Sequence, residues 1–201
     1  DGLGDLTRIR EQLSYYPHNI WLYLLAAEWE KLSQEEAFVG RCGDVGDDLG
    51  SRIIATRLVR RLMRLCFLME RTYSPYPKWF GTAFSGLEAA QSLSPIFASV
   101  LSAATWKERE EHMSEAYRIV AEKHNALGIT APLETTVSSY HERPYMVIHA
   151  DRFSTAIGEV IQDEEVQRLP LAVGSLNQLV ESSDTLEDIQ ICLKLKVLYA
   201  L

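Results

Sequence analysis

Residues 40–79 read GRCGDVGDDLGSRIIATRLVRRLMRLCFLMERTYSPYPKW, and they are the most informative part of the 201-residue chain about its architecture. From about Asp47 to Tyr73 it contains no proline, and no glycine after Gly50, which predicts one long helix. Apolar residues recur along it every three or four positions and predict its buried face: Ile54, Leu58, Leu62, Leu65 and Met69.

The same stretch has no lysine before Lys78, but it contains half of the chain's arginines. These are Arg41, Arg52, Arg57, Arg60, Arg61, Arg64 and Arg71. Four of them, Arg57, Arg61, Arg64 and Arg71, are spaced by four, three and seven residues, which predicts one helix face. Arginine is preferred to lysine where a planar, permanently charged group pairs with a carboxylate or phosphate.

Two interpretations of this arginine face follow. It is either a set of interhelical ion pairs or a wall that receives a small anion. The preceding helix offers Glu28, Glu35 and Glu36 as ion-pair partners if the two helices pack antiparallel. Glu35 and Glu36 are also candidate general bases, and Glu36 completes a capping-box pattern with Ser33.

Helical periodicity dominates the rest of the chain. Pro17 ends a first helix, and a second runs from Asn19 through IWLYLLAAEWEKL. Further helices are predicted to begin at Ser94-Pro95, to span 106–126 before Gly128, to run from Asp151 to Ile161, and to lie near 172–181 and 185–200. Residues 129–149 are the least helical. We therefore predict an all-α fold, a single bundle of roughly seven to nine helices with one long central helix, forming one domain over residues 1–201.

Composition narrows the class of protein. The chain is 47% hydrophobic and 24% charged, as in ordinary globular proteins, and its longest apolar runs are too short for a membrane span. A net charge of -8 argues against a nucleic-acid partner. Three widely spaced cysteines without a CxxC pair argue against disulfides and structural zinc, and favour the cytoplasm. The chain begins with Asp1 instead of Met, from which we expect a piece of a longer protein.

Other motifs are weaker. The GDVGDDLGSR turn lacks the spacing of nucleotide-binding loops, so Asp47 or Asp48 is expected to cap the long helix, with a divalent cation at Asp44, Asp47 and Asp48 as the alternative. The five histidines show no metal-binding spacing. Arg143 and His149 have the spacing of some helical ribonucleases, although Pro144 argues against a helix there.

An aromatic cluster follows the long helix, and it predicts either the plug of a bundle end or the lining of a ligand pocket: Tyr73, Tyr76, Lys78, Trp79 and Phe80.

Residues 16–84, YPHNIWLYLLAAEWEKLSQEEAFVGRCGDVGDDLGSRIIATRLVRRLMRLCFLMERTYSPYPKWFGTAF, resemble the family known as domain of unknown function 4037 (DUF4037). HNALGIT (124–130) and HERPYMVIHADRF (141–153) are similar to later stretches of that family, so the resemblance is expected to extend over most of the chain, from about Tyr16 to Tyr199. The resemblance implies a helical C-terminal half that follows a nucleotidyltransferase-like domain and helps to close its substrate cleft. The Gly-Ser turn and paired aspartates of the nucleotidyltransferase signature are not found in these 201 residues. Mg²⁺ and a nucleotide are therefore expected only with an upstream domain, and no cofactor or metal with this chain.

The sequence thus predicts an accessory, substrate-binding helical domain that is not catalytic by itself, with the upstream domain as its partner in cis and a small anion as its ligand. The candidate substrate-binding residues are Glu35, Arg41, Arg57, Arg64, Arg71, Lys78 and Trp79. Two alternatives stay open: a stand-alone helical ribonuclease or toxin-like enzyme that uses Arg143 and His149, and a structural module that forms a homodimer through the apolar helix Ile20–Leu32.

Overall fold

The computed structural model describes residues 4–200, and most of them are helical. In chain order the helices are α1 (Asp5–Gln12), α2 (His18–Ser33), α3 (Phe38–Asp44), α4 (Asp48–Met69), α5 (Pro77–Phe84), α6 (Ala90–Ser102), α7 (Trp106–Ala126), α8 (Asp151–Val160), α9 (Glu164–Gln167), α10 (Leu176–Leu179), α11 (Ser183–Glu187) and α12 (Ile189–Lys194), before a 3₁₀ turn over Leu195–Tyr199. An antiparallel pair, β1 (Ser138–Tyr140) and β2 (Arg143–Val147), lies between α7 and α8. The prediction of an all-α fold is confirmed.

The centre of the core is α2. Its side chains from Trp21 to Leu32 are buried on nearly every side, as expected for a helix that is apolar all round. Trp29 stacks on Phe153 of α8 with ring centroids 4.2 Å apart, and α4 packs against another side of α2. Because this surface is enclosed by the chain itself, the dimer interface predicted over Ile20–Leu32 is not available to a second copy.

The long helix predicted from the opening stretch is α4. The Asp47 carboxylate accepts the Gly50 N–H at 2.8 Å and caps its first turn, which confirms the capping interpretation. Leu58, Leu62 and Leu65 are fully buried on the predicted apolar face. The arginines on the other faces are consequently left to point away from the core.

The start of α7 is joined to the start of α4. Thr105 and Glu108 form a capping box at the first turn of α7. The buried guanidinium of Arg109 then donates to Ser51 Oγ at 2.6 Å and to Asp48 Oδ1 at 3.0 Å. At the other end of the helix, Gly128 has a φ of 64°, as its predicted role as a C-terminal cap requires.

The capping box predicted for Ser33 and Glu36 is wrong. Ser33 Oγ donates to the Glu30 carbonyl at 2.7 Å, and Glu36 accepts the N–H groups of Ile148 at 3.0 Å and Ala150 at 3.3 Å. The turn between β2 and α8 leaves these two backbone donors without helical or strand partners, so a carboxylate from a distant part of the chain accepts them. Burial raises the pKa of Glu36 to about 7.

Pro95 does not begin a helix, because α6 starts at Ala90 and contains it. The carboxylate of Glu70 accepts the N–H groups of Glu88 and Ala89, both at 2.8 Å, and satisfies backbone donors at the start of α6. A contact between distant segments therefore sets where this helix begins.

The two long helices predicted near 172–181 and 185–200 are divided into α10, α11, α12 and the 3₁₀ turn. Ser182 accepts the Thr185 N–H, and Asp188 accepts the N–H groups of Gln190 and Ile191, so each side chain caps a new short helix. The helices in residues 4–200 thus outnumber the seven to nine predicted, because this segment is interrupted by caps. None of the helices described there is long and apolar enough to cross a membrane.

Candidate functional site

The arginine face of α4 lines a cavity of about 400 Å³, here called the arginine cavity. Its lining comprises Arg57, Arg60, Arg61, Arg64, Gln178, Leu179 and Glu181. One wall is α4, and the other is α10 with the residues that follow it. The cavity therefore forms between two segments more than a hundred residues apart in sequence.

Three of the four arginines are ion-paired. Arg57 pairs with Glu35, and Arg60 pairs with Glu181 from the opposite wall. Arg61 Nη1 lies 3.4 Å from Glu28 Oε1, and its Nε lies 3.8 Å from Glu35 Oε2. The predicted pairing of the α4 arginines with Glu28 and Glu35 is confirmed, whereas Glu36 takes no part in it.

Glu28 is the buried anchor of this network. Its side chain is fully buried, and its Oε2 accepts the side-chain N–H of Gln178 at 2.8 Å. Gln178 also donates to the Leu24 carbonyl at 3.0 Å and accepts the Ser175 N–H at 2.8 Å. One glutamine side chain thereby fastens the outer wall of the cavity to the central helix α2.

Arg64 differs from the other three arginines. Within residues 4–200 its guanidinium has neither a hydrogen-bond acceptor nor an ion-pair partner. Burial lowers its pKa, and the charges of Arg60 and Arg61 act in the same direction, whereas the nearby charges of Glu28 and Glu181 oppose the shift. An arginine side chain remains protonated in proteins, so the cavity holds one guanidinium with no carboxylate of residues 4–200 within ion-pair distance.

A fifth cation lies near the network. Lys31 Nζ donates to the Val173 carbonyl at 2.7 Å, in the segment that leads into α10. Burial lowers its pKa to about 8, with the Arg61 and Arg64 charges adding to that effect and the Glu28 charge opposing it. Lys31 is therefore largely protonated at neutral pH and adds positive charge beside the cavity.

The structure brings together three of the predicted substrate-binding residues, Glu35, Arg57 and Arg64, around this cavity. Sequence reasoning missed Arg60, Gln178, Leu179 and Glu181 as its lining. Arg60 directly precedes Arg61, which was predicted to lie on the arginine face, and this was the one sequence feature that could have indicated Arg60. No local pattern links α10 to α4, so the other three could not be found.

The remaining predicted site residues lie elsewhere. Arg71 follows the end of α4 at Met69, has a φ of 50°, and places its Cζ 4.1 Å from the centroid of the Trp21 ring. Helical spacing from Arg64 to Arg71 does not hold, because the helix ends between them. Lys78 and Trp79 form a cation–π pair at the start of α5, with Trp79 half exposed.

Arg41 belongs to a second cavity, of about 430 Å³, beside α3 and β2. Its Cζ lies 5.1 Å from the Phe38 ring centroid, and the space is also lined by Asp44 and Tyr145. Tyr145 donates to Asp44 at 3.1 Å. The carboxylates of the Gly-Asp turn are thus engaged in three different ways: Asp44 with Tyr145, Asp47 as a cap, and Asp48 with Arg52 and Arg109.

The other candidate chemistry is dispersed. In the described part of the chain, 4–200, no group of three or more His, Cys, Asp or Glu side chains gathers as metal ligands. Arg143 lies in β2 and His149 in the turn after it, where His149 Nε2 is 2.8 Å from Ser138 Oγ. These two residues do not share a helix, which the ribonuclease pattern requires.

Part of the aromatic cluster after α4 is buried and closes the end of the bundle, as predicted. Phe80 is buried against Phe67, with ring centroids 5.2 Å apart, and Tyr73 packs on Tyr15 and Tyr16. Tyr76 stays half exposed and lines a space next to the arginine cavity.

A known protein family matches the part of the chain that contains the arginine face. Residues 1–80 match the family described as Domain of unknown function (DUF4037). The predicted family is confirmed over this part of the chain, which contains α1 to α4 and all four arginines of the cavity. Residues 124–130, 141–153 and the outer wall near Gln178 lie beyond the match. No curated protein and no solved structure matches the chain.

Proposed function

We propose that this protein is a helical accessory domain that binds a small anionic substrate in the arginine cavity. The observation that carries the proposal is Arg64, a partly enclosed guanidinium with no ion-pair partner among residues 4–200, inside a cavity that three other arginines share. A protein with a net charge of -8 gains nothing in solubility from such a cluster. A bound phosphate or carboxylate would supply the missing acceptor.

The arrangement suits recognition of an anion without further rearrangement of the cations. Glu35 and Glu28 hold Arg57 and Arg61 in place, so less conformational freedom is lost when a ligand arrives. The volume of about 400 Å³ lies within the range of small-molecule sites. Positive charge gathered in a cleft also raises the local concentration of anions.

The same proposal places the domain beside a nucleotidyltransferase-like catalytic domain in cis, with residues 1–201 acting as one helical unit in the cytoplasm. The resemblance given in the sequence analysis supports the first part, and the match over residues 1–80 agrees with the family to which that resemblance points. The free thiols of Cys42, Cys66 and Cys192 agree with a reducing compartment. In this proposal any Mg²⁺ and nucleotide belong to the partner domain, and chemistry is not carried out by this chain alone.

Thermal unfolding against a panel of anions tests the proposal. Inorganic phosphate, pyrophosphate and acetate should each be compared with chloride at matched ionic strength. A ligand at a hundred times its dissociation constant adds about 2.7 kcal/mol to the unfolding free energy, which a melting curve resolves. We expect stabilisation by at least one phosphate-bearing anion that is lost in Arg64→Gln and retained in Arg118→Gln, an exposed arginine of α7. Equal melting temperatures in every anion would contradict the proposal.

A further inference from the structure

The arginine cavity continues into a second space of about 220 Å³, here called the Tyr76 cavity. Arg60, Arg64 and Glu181 line both spaces, so the two meet at the guanidinium groups. Beyond these shared residues, the lining changes character. The Pro75-Tyr76-Pro77 loop forms one side and Val180 with Leu186 forms the other.

The two spaces therefore present one charged end and one end that is apolar in part, where Ser74, Asn177 and Ser183 lie among the apolar side chains. Arg64, which has no ion-pair partner in the described part of the chain, lies at the junction between them. Tyr76 is 52% exposed and offers a phenol ring between two prolines, which are rigid and flat-sided. A ring that enters this space can stack on Tyr76 and pack on Val180 while an attached anion remains at Arg64.

We infer that the ligand of this site is a phosphate monoester that carries a flat ring, with its phosphate at Arg64 and its ring in the Tyr76 cavity. The inference rests on the proposed function and adds the class of ligand. A phosphate monoester carries a charge of about −1.5 to −2 at neutral pH, which suits a cavity with one unpaired guanidinium and a second, Arg60, held by a carboxylate that a ligand can displace.

The apolar end explains why the ligand should carry more than a phosphate. A simple anion would satisfy Arg64 and leave Tyr76, Val180 and Leu186 in contact with water. Burying a ring against these side chains removes apolar surface from water and so adds hydrophobic stabilisation. Ser74, Asn177 and Ser183 also line the Tyr76 cavity and offer hydrogen bonds to polar atoms of the ring.

The test compares two probes by titration calorimetry on the full chain: phenyl phosphate, and methyl phosphate as the matched anion without a ring. We expect phenyl phosphate to bind about tenfold more tightly. In Tyr76→Ala that preference should disappear while the affinity for methyl phosphate is unchanged. Tyr76→Phe should keep the preference, because it keeps the ring. Tyr140→Ala, a partly exposed aromatic of β1 that lines neither cavity, is the control and should bind as the unmodified chain does.

The outcomes separate this inference from the proposed function. Equal affinities for the two probes in the unmodified chain, or a phenyl preference that survives Tyr76→Ala, would overturn the ring site and leave the anion site standing. Absence of binding by both probes would overturn both. Loss of both affinities in Arg64→Gln, together with a ring preference that depends on Tyr76, is the result we expect.

Discussion

Arg61 and Arg64 lie three residues apart on one helix and have different roles. Arg61 contacts the buried carboxylate of Glu28, whereas Arg64 lines the cavity and has no ion-pair partner within the residues that the structure describes. The two interpretations of the arginine face are therefore assigned to different residues: ion pairs at Arg57 and Arg61, and the proposed anion wall at Arg64. Spacing alone put all three on one face, but it could not show which carboxylates reach which guanidinium.

Unfolding measurements should distinguish the paired arginines by the burial of their partners. Arg61→Met leaves Glu28 buried with Gln178 as its remaining donor, and we expect a loss of about 2 kcal/mol in unfolding free energy. Arg57→Met breaks a pair whose arginine is 53% exposed, and it should cost under about 1 kcal/mol. Urea denaturation of both variants measures the difference. Equal losses would contradict the assignment of Arg61 to the buried network.

Glu181 provides a second prediction at the residue scale. Its carboxylate pairs with Arg60 across the arginine cavity and so competes with any anion that binds there. Glu181→Gln should strengthen binding of methyl phosphate roughly threefold to tenfold, because Arg60 then gains a free position for the ligand. Glu187→Gln, an exposed glutamate outside the cavity, controls for the change in net charge. Weaker binding in Glu181→Gln would show that Glu181 supports the site instead of competing with the ligand.

At the scale of elements, prediction succeeded where a pattern was local. The apolar period of α4, its Asp47 cap and the Gly128 end of α7 are all written within one or two turns of sequence. Prediction failed where a side chain's hydrogen-bond partner lies far away in the sequence. The spacing of Ser33 and Glu36 predicted that Glu36 caps its own helix. Its carboxylate instead accepts hydrogen bonds from the backbone N–H groups of Ile148 and Ala150. The outer wall of the cavity was missed for the same reason.

The link between Glu36 and the β2–α8 turn should be visible in the pH dependence of stability. Burial raises the pKa of Glu36 from 4.5 to about 7 on folding, so the folded protein binds its proton more tightly, and this residue's contribution to stability falls as pH rises between those values. His124 acts in the opposite direction, because burial lowers its pKa from 6.5 to about 4. The contribution of Glu36 is therefore measured as the difference in pH dependence between a Glu36 variant and the unmodified chain.

Glu36→Gln removes the carboxylate and leaves His124 unchanged. The unfolding free energy of the variant minus that of the unmodified chain should be larger at pH 8 than at pH 5, by on the order of 2 kcal/mol. Urea denaturation at the two pH values measures it, with Glu111→Gln at an exposed position of α7 as control. A pH dependence identical to that of the unmodified chain would show that Glu36 does not change its protonation in this range.

At the scale of the whole molecule, an acidic chain concentrates arginine at one cavity between two distant segments. Composition and periodicity were enough to predict the helical class and the arginine face. The cavity itself arises because Gln178 ties α10 to α2, a contact that no helical period encodes. The family match covers the arginine wall over residues 1–80 and stops well before the segment that closes it.

An anion site at Arg64 should be detected in the dissociation constants of methyl phosphate for the unmodified chain, Arg64→Gln and Arg118→Gln. Arg64 makes no ion pair in the described residues, so its replacement should leave the fold intact. We expect a loss of affinity of about tenfold or more in Arg64→Gln and none in Arg118→Gln. Equal affinities in Arg64→Gln and the unmodified chain, with both proteins folded, would contradict an anion site at Arg64.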